Sequence, residues 1–145
     1  MVKGEAGRMT YRIAAGIILY NPDVERLRDN LSAIINQVEE VVLINNGIAE
    51  SEREVQDLLN IYHNVSMINN DENKGVAFAL NQMCKWAQQK GFEWILTLDQ
   101  DSVCDTDMIQ KFIDSGYVNI PNVGIICPKI EFIKNGLKLF STDKV

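Results

Sequence analysis

The sequence lacks the motifs that identify several common protein classes. Its 145 residues hold three cysteines and one histidine with no Cys-x-x-Cys pair, so neither zinc nor a disulfide framework is indicated. No apolar run approaches the roughly 20 residues of a membrane-spanning helix, and no signal-peptide core opens the chain. The net charge of −6 argues against nucleic acid binding, which normally uses a basic face. These absences predict a cytoplasmic globular domain with buried thiols.

Two glycine-rich phosphate-binding motifs are also absent. The first predicted strand is not followed by Gly-x-Gly-x-x-Gly, and the chain contains no Gly-x-x-x-x-Gly-Lys-Ser/Thr. A diphosphate bound without such a cradle needs its charge neutralised by other means, and a divalent cation can do so.

The most informative segment that is present is Trp94–Leu98 followed by Asp99-Gln100-Asp101. A continuous apolar run of this length predicts a strand buried on both faces of a parallel sheet. Two carboxylates at its exit repel each other unless a cation lies between them, and Mg²⁺ or Mn²⁺ prefers such oxygen ligands. The alternative is that these acids cap the next helix, although Asp105 is better placed for that.

The remaining segments predict a single α/β domain. Apolar periodicity and turn residues predict strands over 12–20, 41–44, 65–68, 94–98 and 123–127. They predict helices after Asn21-Pro22, with Asn21 as the capping residue, after the capping box Ser51-x-x-Glu54, over 76–90 and near 106–115. Gly91 is expected to end the third helix, and Asn135-Gly136 predicts a final hairpin. Residues 1–10 are expected to be disordered or expression-derived, and 11–145 to form the domain.

The order of these elements predicts a mostly parallel, Rossmann-like three-layer sheet with strand order 3-2-1-4. Polar clusters follow each of its first four strands, at Tyr20-Asn21, Asn45-Asn46-Gly47, 69–75 and 99–101. Each cluster alone is ordinary turn chemistry. Because all four fall at the carboxyl ends of the strands, where such sheets bind ligands, they together predict a cleft for a metal-bridged nucleoside diphosphate.

The same segments resemble a known family. Tyr20-Asn21-Pro22, Ile44-Asn45-Asn46-Gly47, the run Asn73-Lys74-Gly75-Val76-Ala77-x-Ala79-x-Asn81 and Leu98-Asp99-Gln100-Asp101 look like the inverting family 2 glycosyltransferases of the GT-A fold. The Asp-Gln-Asp form and the Asn-Lys-Gly run resemble the bacterial rhamnosyltransferase branch. The likeness covers nearly all of residues 11–130.

The resemblance implies transfer of a sugar, with rhamnose from dTDP-rhamnose as the expected donor, to a polysaccharide or lipid-linked acceptor. It implies that Tyr20 and Asn45 border the base, that Asp99 meets the ribose, and that Asp101, with Asp99 beside it, holds Mg²⁺ or Mn²⁺. The full set of nucleotide-binding residues that it implies is Tyr20, Asn21, Asn45, Asn73, Gly75 and Asp99.

Two residues depart from the family pattern, because Asn45 stands where Asp is usual and Ile48 replaces a small Ser. The resemblance also places the catalytic base and acceptor site in a downstream half, and neither Glu131 nor Asp143 is a convincing base. We therefore expect a donor-binding part that is inactive alone, from an enzyme located in the cytoplasm or at the inner face of the membrane.

Two other functions are compatible with the sequence. Asp99-Gln100-Asp101-Ser102-Val103 also fits the first motif of haloacid-dehalogenase-like phosphatases, in which the first Asp is the phosphoryl nucleophile. However, those enzymes usually open with that strand and need later metal-binding acids. The other alternative is a non-catalytic module that binds a nucleotide sugar.

Overall fold

The computed structural model describes residues 2–3, 9–48, 51–128, 131–134 and 137–140. The chain divides into two compact units, Met1–Ile109 and Gln110–Val145. The first unit holds the strands β1 (Val2–Lys3), β2 (Met9–Thr10), β3 (Ile13–Leu19), β4 (Glu40–Asn45), β5 (Val65–Asn69) and β6 (Trp94–Leu98), with the helices α1 (Val24–Ile34), α2 (Glu52–Ile61) and α3 (Val76–Lys90).

A four-stranded sheet with the order β5-β4-β3-β6 forms the centre of the first unit. All of its pairings are parallel, with Ile17 opposite Leu43 on one side and Leu98 on the other. In chain order these are the third, second, first and fourth strands of the sheet. The predicted α/β class and strand order are therefore confirmed.

The helices cover both faces of this sheet. Right-handed crossovers put α1 and α2 on one face, because both connections move in the same direction across the sheet, and put α3 on the other face, because its connection returns from β5 to β6. The fully buried positions follow this division: Leu27, Leu31 and Ile34 of α1, Val55 and Leu58 of α2, and Ala79 and Met83 of α3. The layers are thus helix, sheet and helix.

Helix α3 lies close to the sheet because one strand position has no side chain. Met83 and Ala79 pack against Val42 and Ile44 of β4. A Cβ atom on Gly16 of β3 would lie 2.3 Å from the sulfur of Met83. Glycine at position 16 therefore makes room for the longest apolar side chain of the α3 face.

The carboxyl ends of the four strands are not level. Pairing of β3 with β4 continues to Leu19 and Asn45, and that of β4 with β5 to Asn45 and Asn69. Pairing of β3 with β6 stops at Ile17 and Leu98, two residues earlier. At a rise of about 3.3 Å per residue, β6 ends roughly 7 Å before its neighbour does.

Paired charges close the amino ends of the same strands. Arg12 forms an ion pair with Glu39 at 2.9 Å, donates a hydrogen bond to the Lys90 carbonyl at 2.8 Å and lies 4.7 Å from the centroid of the Phe92 ring. The hydrogen bond with Glu39 raises the pKa of the Arg12 guanidinium. Lys90 forms a second ion pair, with Glu40.

The start of α1 differs from the expectation that Asn21 caps it. The N-cap is Asp23, whose carboxylate accepts hydrogen bonds from the Glu25 and Arg26 N–H groups. Asn21 has a left-handed backbone with φ 43°, and its N–H donates to the Gly47 carbonyl at 2.7 Å. This tie to the turn after β4 holds Asn21 outside the helix.

The predicted cap at the start of α2 does not form, whereas the predicted cap at the end of α3 does. Ser51 makes no side-chain capping bond, so the predicted capping box is wrong, and its hydroxyl donates instead to the Ile48 carbonyl at 3.4 Å. Gly91 ends α3 in the left-handed conformation with φ 75°, as predicted, and its N–H donates to the Gln88 carbonyl.

Two expectations about burial are also wrong. Strand β6 is only partly buried and Thr97 is exposed, because β6 lies at an edge of the sheet instead of between two neighbours. The thiols of Cys84 and Cys127 are exposed, and that of Cys104 is partly buried.

The first ten residues include the short antiparallel pair of β1 and β2. The rest of this segment lies outside the described residues, so the expectation of a disordered or expression-derived segment stays a prediction. In the part of the chain that the structure describes, no helix is long and apolar enough to cross a membrane.

The second unit is described by itself. Helix α4 (Met108–Asp114) spans the boundary and is followed by a 3-10 turn at Tyr117–Asn119. Strands β7 (Glu131–Lys134) and β8 (Leu137–Phe140) pair as the predicted hairpin, whose Asn135-Gly136 turn lies outside the described residues. The strand expected over 123–127 does not form, and Ile125 is 83% exposed, so its side chain lacks the burial that would favour a strand.

Candidate functional site

The structure brings the four polar clusters to one edge of the sheet. Because the strands are parallel, the segments after β3, β4, β5 and β6 all emerge at their carboxyl ends. Each predicted nucleotide or metal residue thus lies at this edge: Tyr20, Asn21, Asn45, Asn73, Gly75, Asp99 and Asp101.

Two free carboxylates occupy the end of β6. Asp99 and Asp101 are exposed, and Gln100 between them is partly buried. Within the described residues, neither carboxylate has a hydrogen bond or ion pair. The backbone is held instead. The Asp99 carbonyl accepts from the Ser102 N–H at 3.1 Å and from Asn30 Nδ2 at 2.8 Å. The carboxylates therefore face solvent on a fixed turn.

Gln100, between the two acids, binds the end of β3. Its Oε1 accepts from the Tyr20 N–H at 2.9 Å, and its Nε2 donates to the Tyr20 carbonyl at 3.0 Å. This pair of bonds resembles one rung of a strand ladder, made by a side-chain amide beyond the point where β6 stops pairing.

The far end of the same loop is held by a second glutamine. Gln37 Nε2 donates to the Asp105 carbonyl at 2.8 Å, and Gln37 Oε1 accepts from the Ile109 N–H at 3.1 Å. Burial raises the pKa of the nearby Cys104 thiol, the sulfur of which lies 3.7 Å from Gln37 Nε2.

Asn46 organises the loop after β5. It is 2% exposed, and its Nδ2 donates to Asn73 Oδ1 at 2.9 Å. Its Oδ1 accepts from the Lys74 N–H at 3.0 Å and from Asn70 Nδ2 at 3.3 Å. Asn70 in turn exchanges two hydrogen bonds with Gln82 of α3. This amide network, Asn46–Asn70–Asn73–Gln82, fixes the loop between β5 and α3.

The predicted loop residues Asn73 and Gly75 have local roles in that network. Asn73 Oδ1 accepts from Asn46 and also from the Gly75 N–H at 2.9 Å. Gly75 has φ 83°, a left-handed value that favours glycine, and it directly precedes α3. Asn73 Nδ2 has no bond to another described residue and is available to a ligand.

Asn45 uses its side chain within the turn that follows β4. Its Nδ2 donates to Asn69 Oδ1 at 2.9 Å, and its Oδ1 accepts from the Gly47 N–H at 3.0 Å. A carbonyl oxygen has two lone pairs, so one remains for a ligand donor. The usual Asp could not donate to Asn69, which gives Asn at position 45 a structural partner in this chain.

Tyr20 presents an aromatic face next to these amides. Its side chain is 53% exposed, and a Cβ atom on Gly47 would lie 2.9 Å from the Tyr20 ring. Glycine at position 47, with φ 140°, therefore lets the ring lie against the turn.

The two acids fit a divalent cation that is also bound by a ligand. In the described ranges no group of three His, Cys, Asp or Glu side chains is placed to hold a metal ion. Two carboxylate oxygens are suitable hard ligands for Mg²⁺ or Mn²⁺, which normally completes its shell with phosphate oxygens and water. Among the described residues, Asp99 and Asp101 are the side chains that could hold it.

Sequence reasoning placed Asn46, Asn70 and Gln100 in the polar clusters without their bonding roles, and it missed Asn30, Gln37 and Gln82 altogether. Asn30 had a readable signal, because it interrupts the apolar face formed by Leu27, Leu31 and Ile34. The amide network had none, since amides in turns are common regardless of function.

Comparison with known proteins identifies the family. The model of Glycosyl transferase family 2 matches residues 15–143. The chain is 32% identical over 124 residues to the dTDP-rhamnosyl transferase RfbF of Shigella flexneri, covering 83% of this chain and 39% of that protein. It is 30% identical over 100 residues to the poly-beta-1,6-N-acetyl-D-glucosamine synthase of Staphylococcus epidermidis, covering 64% and 23%.

Two solved structures share the fold. S. aureus TarS 1-349 has a TM-score of 0.58 at 16% identity, covering 74% of this chain and 32% of that one. GalNAc-T7, solved with UDP, GalNAc and Mn²⁺, has a TM-score of 0.52 at 16% identity, covering 63% and 18%. The expected GT-A architecture is confirmed, and the chain spans well under half of these relatives. By the match over residues 15–143, the chain belongs to glycosyl transferase family 2.

Proposed function

We propose that this chain binds the nucleoside diphosphate sugar donor of a glycosyltransferase. The observation that carries the proposal is the pair Asp99 and Asp101, whose carboxylates have no partner among the described residues and lie at the sheet edge that also presents the asparagine turns. Like charges on a fixed turn are unfavourable without a cation, and a donor diphosphate needs one for the same reason.

The residues along the edge suit successive parts of such a donor. The exposed Tyr20 ring can stack on a base, and the remaining lone pair of Asn45 Oδ1 can accept a base N–H. We assign Asn21, Asn73 and Gly75 to the nucleotide-facing rim and Asp99 to the ribose.

Asp101, with Asp99 beside it, is proposed to hold Mg²⁺ or Mn²⁺. A cation held there would supply charge neutralisation to the diphosphate. The acceptor hydroxyl would form the new bond at the anomeric carbon with inversion, the bond to the diphosphate would break, and a base would take the hydroxyl proton. The protein holds these two carboxylates on a turn whose backbone is already bonded to Asn30 and Ser102, so little reordering is needed on binding.

The similarity to RfbF, a dTDP-rhamnosyl transferase, favours dTDP-rhamnose as donor and a saccharide or lipid-linked acceptor. Since the chain covers 39% of that relative, we place the general base and acceptor site in the remainder. Donor binding without turnover is therefore the activity expected of this chain alone.

A binding titration tests the proposal. Calorimetry and thermal shift with dTDP, UDP and dTDP-rhamnose, each with Mn²⁺ or with EDTA, should show affinity that depends on the cation. Asp101→Ala should remove that dependence, and Asp57→Ala, which deletes an exposed acid of α2, should leave it intact.

The same samples decide between the alternatives. Cation-independent binding by the unmodified chain would contradict the metal assignment. Release of phosphate from a phosphomonoester, lost in Asp99→Asn, would instead favour the phosphatase. The family match and the position of β6 as the fourth strand of the sheet favour the transferase.

A further inference from the structure

The acidic turn is held by two amide side chains that come from different directions. Gln100 makes both of its bonds to the Tyr20 backbone, at 2.9 and 3.0 Å. Because Gln100 lies between the two acids, this contact fixes the plane of the turn. Its side chain points toward β3 while those of Asp99 and Asp101 remain without described partners.

The second amide is Asn30 of α1. It is fully buried, and its Nδ2 donates to the Asp99 carbonyl at 2.8 Å. Its Oδ1 is buried with no hydrogen-bond partner among the described residues. An unpaired buried acceptor costs free energy, so a leucine here would pack at similar size without that cost.

Asn30 is also not needed to give the Asp99 carbonyl a hydrogen-bond donor. The Asp99 carbonyl also accepts the Ser102 N–H at 3.1 Å, a bond that does not involve Asn30. The amide therefore does little for stability that an apolar side chain could not do better. Its specific effect is on where the Asp99 carbonyl, and with it the first carboxylate, is placed.

We infer that Asn30 and Gln100 are positioning residues that set the geometry of Asp99 and Asp101 for a divalent cation and a nucleoside diphosphate. This inference rests on the proposed function, and it extends that function to two residues that do not touch the ligand. Groups of this kind behind a metal ligand typically change metal affinity by roughly 10- to 100-fold when removed.

The test uses near-isosteric apolar substitutions, Asn30→Leu and Gln100→Met. The measured quantity is the cation-dependent gain, which is the ratio of the dTDP dissociation constant in EDTA to that in Mn²⁺. We expect the gain to fall roughly 10- to 100-fold in each variant, with a much smaller change in dTDP affinity in EDTA. The melting temperature of Asn30→Leu should equal or exceed that of the unmodified chain.

Gln56→Met, at an exposed position of α2, is the matched control and should keep the full gain. A full gain in both Asn30→Leu and Gln100→Met would overturn the inference and leave the proposed function standing. Parallel losses of melting temperature and of affinity in EDTA would also overturn it, since they indicate a purely structural role. If the unmodified chain shows no gain, the proposed function fails and the inference with it.

Discussion

The two edges of the parallel sheet use polar side chains in opposite ways. At the amino edge, charges are paired with each other: Arg12 with Glu39, and Lys90 with Glu40. Arg12 additionally binds the carbonyl at the end of α3 and the face of Phe92. Every described charge in this cluster has a protein partner, and the edge is complete without a ligand.

At the carboxyl edge, neutral amides are paired and two carboxylates have no partner among the described residues. Amide bonds link Asn46 with Asn73 and Gln100 with Tyr20, whereas Asp99 and Asp101 have no partner in the described chain. Neutral amides can fix loops without cancelling a neighbouring carboxylate's charge. The comparison teaches that the amino edge satisfies its own charges, whereas the carboxyl edge is held by neutral amides that leave two carboxylates without a described partner.

Deleting one carboxylate from each edge gives the sharpest contrast. Asp101→Ala should eliminate cation-dependent nucleotide binding, a larger loss than the roughly 10- to 100-fold typical of residues behind a ligand. Its melting temperature without metal should not fall, because a like-charge repulsion is relieved. Glu39→Ala should do the reverse, lowering the melting temperature and preserving binding. Equal binding losses in the two variants would contradict the expectation that only the carboxyl edge binds the nucleotide.

Asn46→Ala should have the largest effect on stability at the carboxyl edge. It removes a buried amide with three hydrogen bonds, so we expect a loss of about 1–3 kcal/mol in the free energy of unfolding. Equilibrium urea denaturation measures it, with Asn60→Ala on the exposed side of α2 as the control. A loss no greater than the control's would show that the amide network does not hold the loop.

Much of this arrangement could be predicted, because it depends on local sequence patterns and on the direction of the chain. Strand order followed from alternating strands and helices with right-handed crossovers, and the end of α3 followed from Gly91. The sharing of one edge by Tyr20, Asn45 and Asp99 then needed only parallel strands. Period and chain direction were sufficient for the position of the site.

The side-chain partners were not predictable, because they depend on contacts between distant parts of the chain. Asn21 and Asp23 are both good capping residues, and the bond from Asn21 to Gly47 decides between them. Asn30 and Asp99 are 69 positions apart, and no sequence pattern links them. Local sequence therefore brought these residues to one edge of the sheet without showing what holds them in place.

Arg12→Ala measures how much the paired charges at the amino edge contribute to stability. It should lower the melting temperature less than Asn46→Ala does, because Arg12 is exposed and salt screens its ion pair. The Glu39 bond raises the pKa of Arg12, so its contribution is complete below the unfolded arginine pKa and is lost only as pH rises through the folded value. Thermal melts over the neutral pH range, at low and high salt, should show salt dependence and no pH dependence from this residue.

The smallest expected effect concerns the far end of the acidic loop. Burial raises the pKa of the Cys104 thiol, so less thiolate is present at a given pH and alkylation should be slower than at exposed Cys84. Neutral Cys104 favours folding below the unfolded thiol pKa, and this contribution is lost as pH rises through the folded one. Mass mapping of iodoacetamide labelling checks the order; faster labelling of Cys104 than of Cys84 would show that burial does not suppress its thiolate.

The unequal strand lengths have a consequence for the shape of a bound ligand. Because β6 leaves the sheet two residues before β3 and β4 do, the turn that carries Asp99 and Asp101 starts closer to the amino edge than the turns bearing Tyr20 and Asn45. We expect a molecule that contacts both groups to lie at a tilt, with its anionic end nearer the sheet than its aromatic end. Lengthening β6 by two residues should bring its carboxylates level with Tyr20 and Asn45, so that the same molecule would no longer fit both groups in a tilted orientation.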